Sequence, residues 1–201
     1  MVLWILGYLM EDFLFYFKTG WTHIISWDAL DHLLFIIALA AIYRVVNWKN
    51  VLILVTAFTI GHSLTLALSV YDIIRFSEKW VEFLIPCTIV VTGIFNLIPP
   101  KVNESAFKTN YLIALLFGLI HGMGFANTIR FMLAKNQDIV IPLISFNFGL
   151  EVGQIIVVSI VLLTSYLWVT KIGLSRKWWI GALSVFSIFL ALIMAAERWP
   201  L

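Results

Sequence analysis

An all-α bundle of membrane-crossing helices is the fold this sequence predicts, and three observations predict it. Hydrophobic residues make up 62% of the 201 residues and charged ones only 12%. Mean hydropathy is +1.02, far outside the range of water-soluble domains. The apolar residues fall in runs of about 20, long enough to cross a hydrocarbon core of about 30 Å, and short polar stretches divide them. No water is present in that core to pair with backbone N–H and C=O groups, so runs of this length must be helical.

Residues 1–20 are apolar but carry Glu11, Asp12 and Lys18. They are expected to form an interfacial helix, the alternative being an additional, seventh span that ends near Met10. About six spans follow: Trp21–Tyr43, Val51–Tyr71, Trp80–Ile98, Tyr111–Ile129, Ile139–Val169 and Trp178–Ala196. Trp21, Tyr43, Trp48, Tyr71, Trp80, Tyr111, Trp168, Trp178, Trp179 and Trp199 stand at their edges, as an aromatic belt requires. Ile139–Val169 would be about 46 Å long as a helix, so it must tilt, protrude or break, with Gly149 and Gly153 as the expected break. Connections are short, and the chain reads as one integral membrane domain over residues 1–201, with its core bundle in 21–199. No basic region precedes Val2–Met10, so the first helix is expected to be kept rather than cleaved. Loops after the first, third and fifth spans hold seven of the 13 lysines and arginines, a slight vote for an outside N-terminus. No convincing internal repeat is visible, so the inverted-repeat transporter plan has no support from the sequence.

Several functions are excluded at this level. A net charge of +2 gives no reason to expect nucleic acid, and one cysteine, Cys87, rules out an internal disulfide or a cysteine metal cluster. No phosphate-binding G-x-x-x-x-G-K-[ST] loop occurs. Copper(I) is disfavoured by the lone Cys87 and five scattered methionines.

What remains is a set of ionisable residues inside the apolar runs, where lipid makes them expensive. Asp28, Asp31 and His32 are spaced i, i+3, i+4 on one helix face, ahead of the uncharged run Leu33–Tyr43. All four histidines, His23, His32, His62 and His121, lie inside or at the mouth of a span. His62 has Thr59 and Thr65 one turn to either side; His121 sits among Gly118, Gly122 and Gly124, which admit a close approach by another backbone or an ion. Asn147, Glu151 and Gln154 share a face of the fifth span, and Glu82 opens the third. Imidazole and carboxylate together suit a borderline divalent cation such as Ni²⁺, Co²⁺ or Zn²⁺. Asp31, His32, His62, His121 and Glu151 are the expected ligands. Asp28 and Glu82 read as an acidic entrance, and Asn147 and Gln154 as groups that orient ligands. His23 stands at the periphery of this set. Each residue also has a plainer reading. A single intramembrane histidine is often only a strut between helices, Asp28 can cap a helix, Glu82 can be solvated at the membrane edge, and Cys87 can be a packed hydrophobe. Seven or eight such residues in one chain are hard to explain as struts.

At these residues the sequence resembles the HupE/UreJ family of membrane proteins. The likeness rests on His23, then Asp31-His32-Leu33-Leu34-Phe35, then Phe58-Thr59-Ile60-Gly61-His62-Ser63-Leu64-Thr65-Leu66. Val81-Glu82-Phe83, Asn96, His121-Gly122 and Phe146-Asn147-Phe148-Gly149-Leu150-Glu151-Val152-Gly153-Gln154 follow in the same order. There is a looser likeness to nickel/cobalt permeases. The chain departs from hydrogenase-linked members in two places. Seven residues separate His23 from Asp31, where those members have five, and Phe125 stands where they carry a second histidine. The resemblance implies a nickel permease of the bacterial inner (cytoplasmic) membrane, with nickel first and zinc or cobalt behind it as the ion. The expected partners are the metal ion and the lipid bilayer, with a homo-oligomer left open. An intramembrane zinc-dependent hydrolase acting on a lipid-like substrate is the enzyme alternative. A haem or quinone protein using His62 and His121 ranks below both, since it gives Asp31 and Glu151 no role.

Overall fold

The computed structural model describes residues 2–98, 104–132 and 139–201. Eight α-helices follow in order: α1 (Val2–Ile25), α2 (Leu30–Ala41), α3 (Trp48–Val70), α4 (Glu78–Leu97), α5 (Glu104–Gly124), α6 (Ala126–Met132), α7 (Val140–Ser165) and α8 (Arg176–Glu197). No strand occurs among the described residues. Four stretches are long and apolar enough to cross a membrane by themselves, Val45–Val70, Glu78–Leu97, Val140–Lys171 and Arg176–Glu197. Two bent pairs would bring the number to as many as six if each is a single broken span: Leu9–Ile25 with α2, at 66°, and Phe107–Gly124 with α6, at 44°. The molecule is an integral membrane protein with an all-α bundle.

The bent pairs are where the expected boundaries move. Trp21–Tyr43 is not one helix: Trp21 to Ile25 finish α1, a 3₁₀ turn covers Trp27–Ala29, and α2 begins at Leu30. Ser26 is extended (φ −77°, ψ 153°), which ends α1. The separation expected at residue 20 is absent, because α1 lies along α7. A Cβ on Gly20 would meet the Phe146 carbonyl oxygen, and one on Gly149 the Phe17 carbonyl oxygen. That contact also explains why Gly149 and Gly153 do not break α7: they are small so that α1 can approach. α7 stays helical to Ser165 and carries on as a π-helical turn over Tyr166–Lys171. The expected span Tyr111–Ile129 likewise bends after Gly124.

Hydrogen bonds between helix ends fix the arrangement. At one end Arg176 donates to the Ile42 carbonyl at 2.6 Å and Asn110 to the Tyr43 hydroxyl at 3.2 Å. At the other, Arg130 pairs with Asp72 and Asn127 donates to Glu78, both at 3.2 Å. Between these ends α3 and α5 pack almost backbone to backbone. A Cβ on Gly118 would strike the Phe58 carbonyl oxygen and one on Gly122 that of His62. Packing of this kind, rather than a hydrophobic drive, holds helices together in lipid. It also puts His62 and His121 in one layer.

Candidate metal centre

Four histidines from four helices converge in that layer. His23 comes from the last turn of α1, His32 from the first turn of α2, His62 from the middle of α3 and His121 from the last turn of α5. Because the chain turns at Ser26–Ala29, His23 folds back onto His32, their ring centroids 4.5 Å apart. His32 is 5.9 Å from His62 and 4.9 Å from His121 by the same measure. One ring nitrogen each from His23, His32 and His62 can be chosen so that all lie within 4.8 Å of one another. Phe35, Phe58 and Phe146, all nearly inaccessible, wall this space off from lipid.

The surrounding hydrogen bonds set the tautomers. Asp31 Oδ1 lies 2.8 Å from His32 Nδ1. A carboxylate only accepts, so Nδ1 carries the proton and Nε2 keeps its lone pair. Asp31 Oδ2 accepts from Arg198 at 3.0 Å, so both carboxylate oxygens are engaged, one by His32 and one by Arg198. On the other flank, the Thr88 hydroxyl gives its proton to the Ile85 carbonyl at 2.7 Å. It must therefore accept from His121 Nε2, 3.1 Å away, leaving the lone pair on Nδ1.

Among the described residues five buried imidazole nitrogens then have no hydrogen-bond partner: His23 Nε2, His32 Nε2, both nitrogens of His62, and His121 Nδ1. Buried polar atoms are paired in the great majority of cases, and an unpaired one costs about 1–3 kcal/mol. A Lewis acid could take one lone pair from each of His23, His32 and His62, whose ligand atoms lie within 4.8 Å of one another. Neutral imidazoles with one nitrogen fixed by a carboxylate or hydroxyl are the form in which histidine ligates metals.

The other expected residues sort differently. Asp31 holds His32 rather than joining the three-histidine group. Glu151 is apart from it: its Oε1 accepts from Thr56 at 2.8 Å, and Thr56 is six residues from His62, about 9 Å along α3. Gln154 is buried and accepts from Thr59 at 2.7 Å. Asn147 donates to the Leu143 carbonyl at 2.8 Å and neighbours His62. Glu82 is exposed on α4. Asp28 lies in the turn before α2, and its side chain is outside the described residues. His23, peripheral in the sequence, is central here, and it packs 4.1 Å from the Phe125 ring. Arg198 had no sequence signal, since it follows the last helix and meets Asp31 across 167 positions.

A family model described as HupE / UreJ protein matches residues 3–200, nearly the whole chain. Comparison with the curated proteins gave no match, and neither did comparison with the solved structures.

Proposed function

The chain belongs to the HupE/UreJ family, and from that premise we propose that it is a permease for a divalent transition metal, nickel first, in a bacterial inner membrane, working as one membrane domain. The observation that carries the reading is the group of unpartnered imidazole nitrogens buried between broken helices. Helices interrupted near mid-membrane are a recurrent way of lining an ion site. His23, His32 and His62 bind the ion, His121 stands ready as a further ligand, and Asp31 with Arg198 holds the His32 ring. Nitrogen donors favour Ni²⁺, Co²⁺ and Zn²⁺ over Mg²⁺ or Ca²⁺.

The ion enters from the end that carries Asp28, Glu82 and the Asp72–Glu78 loop, where carboxylates concentrate cations. Glu151, with Thr56, offers the next oxygen ligand on the way to the opposite end, and Asn147 and Gln154 line the interval. No nucleotide is needed for inward movement. At 100 mV, inside negative, a dication gains about 4.6 kcal/mol, twice the approximately 2.3 kcal/mol per unit charge.

Uptake into proteoliposomes tests this. Purified protein is expected to admit Ni²⁺ down an imposed potential, and the His32→Ala and His62→Ala variants are expected not to. A wild type that admits no metal, yet keeps stoichiometric Zn²⁺ through chelation, would overturn the permease in favour of a metalloenzyme.

A further inference from the structure

A cavity of about 600 Å³ opens at the end of the bundle away from Asp72, between the α2–α3 connection, the π-helical turn after α7 and the start of α8. It is lined by Arg44, Val45, Val46, Ser165, Tyr166, Val169, Thr170 and Arg176. Two features set it apart. Arg44 and Arg176 repel one another across it, and among the described residues no carboxylate lines it. By contrast Arg75, Arg130 and Arg198 each reach an aspartate. Arg176 satisfies one N–H on the Ile42 carbonyl at the C-terminus of α2, which holds the guanidinium at the cavity with no carboxylate among the described residues lining it.

The turn itself is built for this opening. π-helical turns widen a helix and recur at binding sites; this one closes the long helix begun as α7 and presents Tyr166, Val169 and Thr170 to the cavity. The walls are apolar and accessible, Val46 being 79% exposed. Trp48 and Trp168, both about half exposed, mark the level as the lipid headgroup interface. A ligand that suits all of this has a singly charged anionic head for two guanidiniums and hydroxyls, with an apolar continuation along valines into the bilayer.

We propose that this cavity binds the phosphodiester headgroup of an anionic membrane lipid, with Arg44 and Arg176 as the charge partners and Ser165, Thr170 and Tyr166 as hydroxyl donors. Basic pockets between helix ends are a known mode of lipid-headgroup recognition. Guanidinium suits phosphate because its fork of N–H donors meets two oxygens at once. The site is independent of the metal centre, and it ties the α2–α3 connection to the α7–α8 connection through one bound lipid.

The test uses purified protein in phosphatidylcholine bilayers doped with spin-labelled phosphatidylglycerol, reading the preference of the motionally restricted shell for phosphatidylglycerol over spin-labelled phosphatidylcholine. Wild type is expected to prefer the anionic lipid. Arg44→Gln and Arg176→Gln are each expected to lower the preference about five-fold, the worth of one basic residue at a membrane surface, and Arg44→Lys to keep most of it. Arg44 is exposed and no hydrogen bond or ion pair ties its side chain to another described residue, so Arg44→Gln carries the test even if Arg176→Gln, which loses the Ile42 contact, fails to fold. Equal preference in wild type and Arg44→Gln would overturn the proposal. So would loss of the preference on adding millimolar inorganic phosphate at constant ionic strength, which would assign the cavity to free phosphate.

Discussion

Two clusters of polar side chains sit in this molecule ten residues apart in sequence, at His62 within α3 and at Asp72 just beyond its end, and they are opposites. Around Asp72, beyond the end of α3, the groups pair with one another: Asp72 with Arg75 and Arg130, Asn127 with Glu78, and Arg130 with Asn127. Around His62 five buried imidazole nitrogens have no hydrogen-bond partner among the described residues. Polar groups at a wet surface can satisfy themselves cheaply in many ways. In a dry core an unpaired nitrogen is costly, and several of them close together call for an explanation such as a bound ion. The proposed centre therefore rests on imidazole nitrogens from several helices brought together without partners among the described residues, and not on the count of charges.

The sharpest way to break that contrast is to empty the centre. Removing one ring of the trio should weaken metal binding by more than about 100-fold, beyond the range for groups that only orient a ligand. His23→Ala should therefore match His62→Ala in a metal titration of purified protein; a His23→Ala variant with wild-type affinity would return His23 to the periphery. Next comes Arg198. It acts through Asp31 and His32, so Arg198→Gln should weaken binding about ten-fold, and Arg198→Lys, which keeps a donor for Asp31, should recover most of it. A purely structural arginine would instead lower the thermal midpoint in both variants and leave affinity alone. Glu151→Gln should change equilibrium affinity by less than about three-fold, since its carboxylate is held by Thr56, about 9 Å along α3 from His62, and touches no ring of the trio, while slowing uptake.

The smallest effect is expected at the paired cluster. The Arg75 guanidinium beside Asp72 holds its carboxyl below the usual range. A carboxylate depressed in the folded state stabilises above its unfolded pKa, about 3.9, and that contribution is lost as the pH falls through the lower folded value. Asp72→Asn should thus lower the thermal midpoint slightly at neutral pH and not at all in strong acid, with metal affinity unchanged at neutral pH.

The sequence carried the bundle because lipid leaves a chain so few options: long apolar runs edged by tryptophan must be helices. It carried His32, His62 and His121 for the same reason, as costly groups within such runs. What it could not carry is rotation and bending. The row Asn147, Glu151, Gln154 was visible as one face, but which neighbour that face meets depends on the packing of α1 and α3 against α7. There Glu151 went to Thr56 and Gln154 to Thr59. The break at Ser26–Ala29 has no proline or glycine to announce it, so His23 was read as a residue at the mouth of a straight span. Glycine was ambiguous in the other direction. Gly149 and Gly153 looked like a break and are instead a seat for α1. Arg198 could be found only by folding the chain.

One measurement bears on the centre most directly: a titration of purified wild type and His62→Ala with Co²⁺, following the visible ligand-field absorption. Wild type is expected to bind one ion with the absorption of a nitrogen-rich site, and His62→Ala to show neither the absorption nor the binding. Equal binding in the two proteins, or no binding in wild type, would contradict the account.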